Sequence, residues 1–343
     1  MTCSTPSVAL GVFAICILIS SGLLVVGSYG KSGQPSLHHN NISSGGTISE
    51  NKRINATNSL TNPTLALSSS GHSSSNSPGA PNKIVMLTFD DNRIGDTTYA
   101  KPILDKYGFK ATFFVICNKT TDKGAMHWND IADMKKDGMD IESHTMTHHH
   151  LSTMSQQQLE YQIGGSKQCL ASHGYNATIF AYPYDDGSEN KTVVDTVARY
   201  YNIARSGFEP LMFLDCKGFH NSTQTDCKTF TSTGKLNYAN RYAIRGYTEN
   251  LLEQRDLFNP VKIMADFSKV LNSQLSYNSN GTIRAIPILV YHSVGLQSGK
   301  PFSTEVGLFG QEMKYLHDNG FKVVDMADLG YNNSTNTFYL KNS

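Results

Sequence analysis

No block of like charge occurs anywhere in this chain, and its 29 basic and 28 acidic side chains leave a formal net charge of +1. A nucleic-acid surface needs a basic patch or stripe, so that class of partner is not indicated. There is no Cys-x-x-Cys pair either, which excludes a zinc ribbon and a redox motif. Long apolar runs are scarce. The 39% of hydrophobic residues crowd positions 8 to 27, thin out until about residue 83, then recur in short runs to the end. Only that last region can bury a core, so the 343 residues read as one α/β domain with non-globular extras.

The single long apolar run, Val8 to Gly27, has twenty residues without a charge, about enough to cross the hydrocarbon core as a helix. Residues 1–30 are therefore expected to be a signal sequence or a transmembrane anchor, and the length of the run favours the anchor. Residues 31–82 are rich in Ser, Asn, Gly and Thr and are expected to be a disordered linker. Asn-x-Ser/Thr sequons at Asn41, Asn55, Asn118, Asn176, Asn190, Asn221, Asn280, Asn332 and Asn333 suit a glycosylated chain. The expected location is the outer face of the cell membrane or the medium, with residues 8–27 in the membrane if the leader is retained. Cys3 and Cys16 lie in the leader, and Cys117, Cys169, Cys216 and Cys227 lie in the folded part. Cys216 and Cys227, with ten residues between them in a polar stretch, are expected to close a loop as a disulfide.

From Lys83 onward, short β-rich runs alternate with helical patterns. Strands are expected at Ile84 to Phe89, Ala111 to Cys117, Met139 to Ser143, Thr178 to Tyr182, Asn202 to Arg205, Ile286 to Tyr291 and Phe321 to Val324. Helical patterns fall between most of them, and residues 207–250 read as a loop-rich insertion. Alternating strands and helices argue for parallel pairing. The expected fold is a distorted or incomplete (β/α) barrel over residues 83–343, with an open doubly wound sheet as the alternative. In both, functional groups belong at the carboxyl ends of the strands.

Those ends carry unusual polar clusters. The first strand runs into Asp90-Asp91, where one carboxylate can bind a metal while the other accepts a proton; a helix cap is the plainer alternative. The third runs into His144, with His148 four residues on, a spacing that puts two imidazoles on one face of a helical turn. Asp91 is the carboxylate that would complete a metal site with them. His149 and His150 read as solvated loop. The next strand ends in Tyr182-Pro183-Tyr184, where the Tyr184 N–H can face an oxyanion or simply belong to a connector. The run Ile286 to Tyr291 delivers His292, able to protonate a leaving amine or to serve as a structural histidine.

Taken together, residues 83 to 330 resemble the polysaccharide deacetylases of carbohydrate esterase family four, which share a nodulation-protein-like catalytic domain. Thr88-Phe89-Asp90-Asp91 looks like the family's first motif, and His144-Thr145-x-x-His148 looks like its second. Phe180 to Tyr184 resembles the third, and Leu289-Val290-Tyr291-His292 the last. The resemblance implies a hydrolase acting on linear amides, which removes acetyl groups from an N-acetylated polysaccharide by attack of a metal-bound water. By the same resemblance Asp91, His144 and His148 hold a divalent metal, for which Zn²⁺ suits the ligands, while Asp90 is the base, the Tyr184 N–H holds the oxyanion and His292 is the acid.

The third motif departs from the family. Phe180 and Ala181 stand where an Arg that pairs with the catalytic Asp is usual, Asp185 replaces a Gly, and no Asp partner for His292 can be placed. This departure is the ground for an alternative, a catalytically silent carbohydrate-binding surface protein on the same fold. A glycoside hydrolase would need two carboxylates on separate strands and no metal. Arg205, at the end of the next short strand, is either a surface arginine or the cation that stands beside Asp90 instead.

Overall fold

The computed structural model describes residues 82–207, 210–214, 241–248, 259–296, 302–335 and 337–341. The expected leader, nearly all of the expected linker, and the Cys216 and Cys227 pair lie outside these residues. Among the described residues no helix is long and apolar enough to cross a membrane.

The strands are β1 (Ile84–Phe89), β2 (Thr112–Val115), β3 (Asp140–Ser143), β4 (Ile179–Ala181), β5 (Ile203–Arg205), β6 (Met212–Phe213), β7 (Tyr247–Thr248), β8 (Ala285–Ile286), β9 (Ile288–Tyr291), β10 (Val294–Gly295), β11 (Thr304–Glu305), β12 (Lys322–Val324), β13 (Leu329–Asn332) and β14 (Thr337–Leu340). The helices are α1 (Lys101–Tyr107), α2 (Trp128–Lys136), α3 (Gln156–Leu159), α4 (Gly165–Ser172), α5 (Lys191–Tyr200), α6 (Pro260–Ser273) and α7 (Val306–Asp318). Their limits follow local chemistry. Asn190 and Asn259 each accept two backbone N–H bonds at the starts of α5 and α6, and Pro260 needs no N–H partner there. Gly108 ends α1 in the left-handed region at φ 68°, where a Cβ would be strained.

The main sheet is parallel and runs β5-β4-β3-β2-β1-β9-β7, with β12 also paired to β1. Period-two alternation divides its side chains. Ile84, Met86, Phe114, Ile179, Ala181, Ile203 and Ile288 share one core with Ile244, inside the curl of the sheet. Val85, Leu87, Phe89, Phe113, Val115, Phe180 and Leu289 belong to the second core, which includes helix residues such as Leu104, Ile131, Val194 and Phe309. Phe89 stacks on Phe113 at 4.7 Å and on Tyr291 at 5.2 Å, locking three adjacent strands together.

Two features distort the barrel. At the foot of β1, Ile84 to Met86 pair with β12, and only Thr88 and Phe89 pair with β2, so β12 occupies part of the edge that β2 would otherwise use. At the other side the circle closes through a narrow seam. Ile244 bridges Arg205 of β5, exchanging backbone bonds with Ala204 and Ser206, and three residues later β7 pairs with β9. The expected loop-rich insertion is corrected at this point: residues 241–248 supply the strand that closes the barrel. Two β residues in a polar context are too short a run to show a period. The hairpin of β13 and β14 was likewise absent from the sequence reading.

Cys117, just after β2, is disulfide-bonded to Cys169 in α4, 52 positions away. A bond closing a loop of that size contributes about 4 kcal/mol in the chain-entropy treatment, and typical measured values are about 2–4 kcal/mol. Replacing both cysteines by serine is expected to lower the unfolding free energy by an amount in that range. Urea denaturation without reductant measures it, and a midpoint unmoved by both the substitution and added reductant would show that the bond does not form.

Candidate active site

The inward series of β1 runs Ile84, Met86, Thr88, and the next position in the alternation is Asp90. The same count gives His144 after β3, Arg205 at the end of β5 and His292 after β9. Four polar side chains therefore reach the mouth of the barrel because they continue its inward-facing rows past the last apolar layer.

The loops beyond these strands are bent sharply. Among the described residues, eight non-glycine residues have positive φ, and six of them are Asp91, Asn92, Thr145, His148, Tyr184 and Asp185. Such conformations cost energy and persist only where the surroundings fix them. The first turn is fixed by Asn92, whose Oδ1 accepts the Ile116 N–H at 3.0 Å and whose carbonyl accepts the Met126 N–H at 2.7 Å. Sequence reasoning passed over Asn92, although an Asn after two strand-end aspartates is a known left-handed former. In the second turn the Thr145 hydroxyl accepts the His148 N–H at 2.9 Å, and Gln162 accepts from the Thr147 N–H at 3.0 Å. The expected helical turn over His144 to His148 is corrected here: Thr145 at φ 72° and His148 at φ 60° make it an irregular loop. It brings the two rings together all the same, with centroids 4.7 Å apart.

Asp91, His144 and His148 offer ligand atoms that all lie within 4.8 Å of one another. His144 donates its Nδ1 proton to the Ala181 carbonyl at 2.9 Å, which leaves Nε2 bare and 3.7 Å from Asp91 Oδ1. His148 Nε2 lies 3.2 Å from the same oxygen. That oxygen is buried and accepts no hydrogen bond, so a carboxylate and two imidazoles converge on a point that no proton fills. Burial depresses the His148 ring to about 3, with the neighbouring His144 adding to the effect, and Asp91 is held at about 2 because His144 and His148 outweigh its burial. The Asp91 carboxylate is thus anionic and the His148 ring neutral near neutral pH, and together with His144 the donor set fits a divalent ion. His149 and His150 are exposed as expected.

Asp90 points elsewhere. Arg205 is almost fully buried, lies over the Phe114 ring at 5.0 Å, and donates through Nη2 to both oxygens of Asp90 at 2.6 and 2.5 Å. Of the two readings of Arg205, the structure selects the cation beside Asp90. Burial, the largest effect, raises the Asp90 pKa, but Arg205, His144 and His292 together outweigh it, and the carboxyl sits below its ordinary value. Tyr184 stands at φ 56° in the 3₁₀ turn Pro183–Asp185, where the Asp185 N–H donates to the Tyr182 carbonyl, and its ring is exposed over His150 at 4.2 Å. The neighbouring Asp185 is raised to about 6 by burial, against the opposing pull of Arg205. His292 lies half-buried; burial lowers its pKa against Asp90 and Asp91, and its buried Nδ1 has no partner among the described residues.

Residues 77–203 match the family model described as polysaccharide deacetylase. Over that segment the chain is similar to polysaccharide deacetylases. The matched segment contains Asp90, Asp91, His144, His148 and Tyr184, whereas Arg205 and His292 lie beyond it. Among curated proteins, YxkH of Bacillus subtilis (strain 168), provisionally named a polysaccharide deacetylase, is 34% identical over 102 residues, covering 29% of this chain and 37% of that one. A bifunctional xylanase/deacetylase of Pseudobutyrivibrio xylanivorans is 30% identical over 123 residues, covering 35% and 20%. The chain thus spans little more than a third of the first of these relatives. Among solved structures, T48 deacetylase with substrate has a TM-score of 0.44 at 17% identity, over 71% of this chain and 89% of that one. A family 4 carbohydrate esterase from Streptomyces lividans in complex with acetate has a TM-score of 0.43 at 17% identity, over 71% and 93%.

Because Arg205 holds Asp90 below its ordinary value of 3.8, ionised Asp90 stabilises the fold at neutral pH, and this contribution is lost as pH falls through the folded pKa. Arg205→Ala reverses the sign. Burial without the cation raises the pKa above the unfolded value, so stability is expected to fall as pH rises from about 4 to 7, on top of a loss of about 3–5 kcal/mol for the broken pair. Urea midpoints of wild type and variant across that range test this. Two parallel curves would mean that Arg205 does not set the charge on Asp90.

Proposed function

We propose that this chain is a metal-dependent hydrolase that removes acetyl groups from an acetylated polysaccharide, with an amide-linked acetyl as the preferred bond. The observation that carries the reading is the pairing of two unlike carboxylates at one strand end. Asp91 faces the Nε2 atoms of His144 and His148, and Asp90, one residue earlier, is clamped by Arg205. A divalent ion held by Asp91, His144 and His148, with Zn²⁺ the first choice for that donor set, would polarise the acetyl carbonyl and acidify a water.

The rest is the work of this chain's side chains. Asp90, ionised and oriented by Arg205, accepts a proton from the attacking water. The Tyr184 N–H donates to the oxygen on which negative charge develops. His292 gives a proton to the departing nitrogen, so that a free amine and acetate result. Asp90 and His292 influence each other's charge in this structure, as a base and an acid sharing one centre must. Arg205 also removes the chief ground for a silent protein, since the cation missing from the third cluster is supplied by β5. An exported location, anchored or secreted, is part of the proposal; the uncharged run at residues 8–27, the sequons and the Cys117–Cys169 bond support it.

Acetate release from a panel of acetylated glycans is the direct test. The wild type is expected to release acetate, to lose activity to a chelator and to regain it with added divalent metal. Asp90→Asn should retain the metal yet lose about 10² to 10⁴ in rate. Conversely, His148→Ala should lose metal and activity together, as read by elemental analysis of the purified variant. Chelator-resistant turnover, or near-normal turnover by Asp90→Asn, would refute the assignment.

A further inference from the structure

Next to the catalytic centre, on the side of Asp91, lies a cavity of about 530 Å³ whose lining includes Asp91, Ile94, Tyr99, Ser293, Leu296 and Phe302. Its volume falls in the range of small-molecule sites, about 300–1,000 Å³. Its character differs from that of the centre beside it. Ile94, Leu296 and Phe302 are large apolar side chains left 39%, 67% and 48% exposed, and together they form one apolar surface around the opening. Single exposed apolar residues need no explanation, but a cluster beside a reactive centre marks a place where something apolar is meant to sit.

The wall of this cavity is built, not incidental. Phe302 is held at φ 56°, an outlying backbone conformation for a bulky residue, and its ring lies 5.1 Å from that of His292. Two residues later Thr304 pairs with Val294, and its N–H donates to the Ser293 carbonyl at 2.8 Å, so the platform is pinned to the strand end that delivers His292. On the opposite wall, a Cβ at Gly95 would stand 2.1 Å from the Val294 carbonyl oxygen. Only glycine allows the loop after β1 and the loop after β9 to approach so closely. The two loops that carry Asp91 and His292 thus also form the cavity.

Resting on the reading of the centre as a deacetylase, we infer that this cavity is a sugar subsite, in which Phe302, with Leu296 and Ile94, receives the ring next to the acetylated unit in the same polymer. A pyranose offers an apolar face of C–H groups and a rim of hydroxyls, which matches a cavity with an aromatic platform, aliphatic flanks and the Ser293 and Ser303 hydroxyls. Phe302 is then a specificity-determining residue. It gives the enzyme a reason to prefer a polymer over a single acetylated sugar, because binding energy from the second ring is available only when the two are joined.

The test compares wild type with Phe302→Ala and Phe302→Trp. The probes are the β-1,4-linked tetramer of N-acetylglucosamine, a tetramer of acetylated xylose, and the corresponding monosaccharides. Calorimetric binding to the metal-free protein, alongside kcat/KM for acetate release, is the readout. Phe302→Ala is expected to weaken binding of the tetramer that wild type prefers about tenfold, mostly through KM, the order expected for losing one stacked face. It should change the monosaccharide less than twofold, and Phe302→Trp should restore the tetramer. Equal losses on both lengths, no loss on either, or no tetramer bound by wild type would overturn the subsite. If the tetramer binding depends on Phe302 but no acetate is released by any form, the subsite stands and the hydrolase reading falls.

Discussion

Taking a guanidinium and a carboxylate out of water together is expensive, and the cost is recovered only where geometry is close and few hydrogen-bonding groups are wasted. The pair of Arg205 and Asp90 meets the geometric part of that condition at 2.5 and 2.6 Å, with Phe114 beneath the guanidinium and Nη1 donating to the Ser206 carbonyl, while the buried Nε has no partner among the described residues. Much of the mouth of the barrel is arranged by it. Asp90 is drawn toward the barrel axis, Asp91 is thereby left free to face the imidazoles, and the end of β5 is tied across to β1. Removing either charge would leave the other buried and unmatched.

The loops above this pair illustrate a second constraint. Side chains that must meet at one point come from strands that diverge, so the backbone has to turn at once after each strand. The left-handed conformations at Asp91, Asn92, Thr145, His148, Tyr184 and Asp185 accomplish that turn. They are sustained by hydrogen bonds from neighbouring loops, including Asn92 to Ile116 and Gln162 to Thr147. Strain of this kind is a cost in stability located where position matters most.

Most of this architecture was legible in the amino-acid order, for identifiable reasons. β1 falls where its pattern placed it, because a six-residue apolar run is a strong local signal. Asp91, His144 and His148 were found together because metal chemistry demands those residue types at strand ends. The helical turn expected between the two histidines failed, since spacing alone cannot reveal positive φ at a threonine. The bond of Cys117 to Cys169 was not drawn, although it belongs to the same pairing of the four cysteines as the expected Cys216–Cys227 bond, because a separation of 52 positions gives no local signal. The closing strand at Tyr247–Thr248 was missed because two residues carry no period, and the role of β12 depends on a partner that only the fold supplies. Arg205 stood as one of two readings, as no local feature distinguishes a buried guanidinium from an exposed one.

The seam of the barrel adds a consequence for the order of events in folding. Asp90 and Arg205 are 115 positions apart, and β5 is joined to the closing segment through little more than the bridge at Ile244. Contacts of such long range form after local helices and neighbouring strand pairs, because the entropy of closing the intervening chain must be overcome first. Asp90 therefore acquires its charge partner only when the circle is nearly complete. A nascent chain that has formed β1 to β3 already holds both histidines and both aspartates, yet it lacks the cation that keeps Asp90 ionised and aimed. Pairing of the Asp90 charge and topological closure arrive in the same late step, so partly assembled forms of this protein lack the ion pair at the mouth of the barrel.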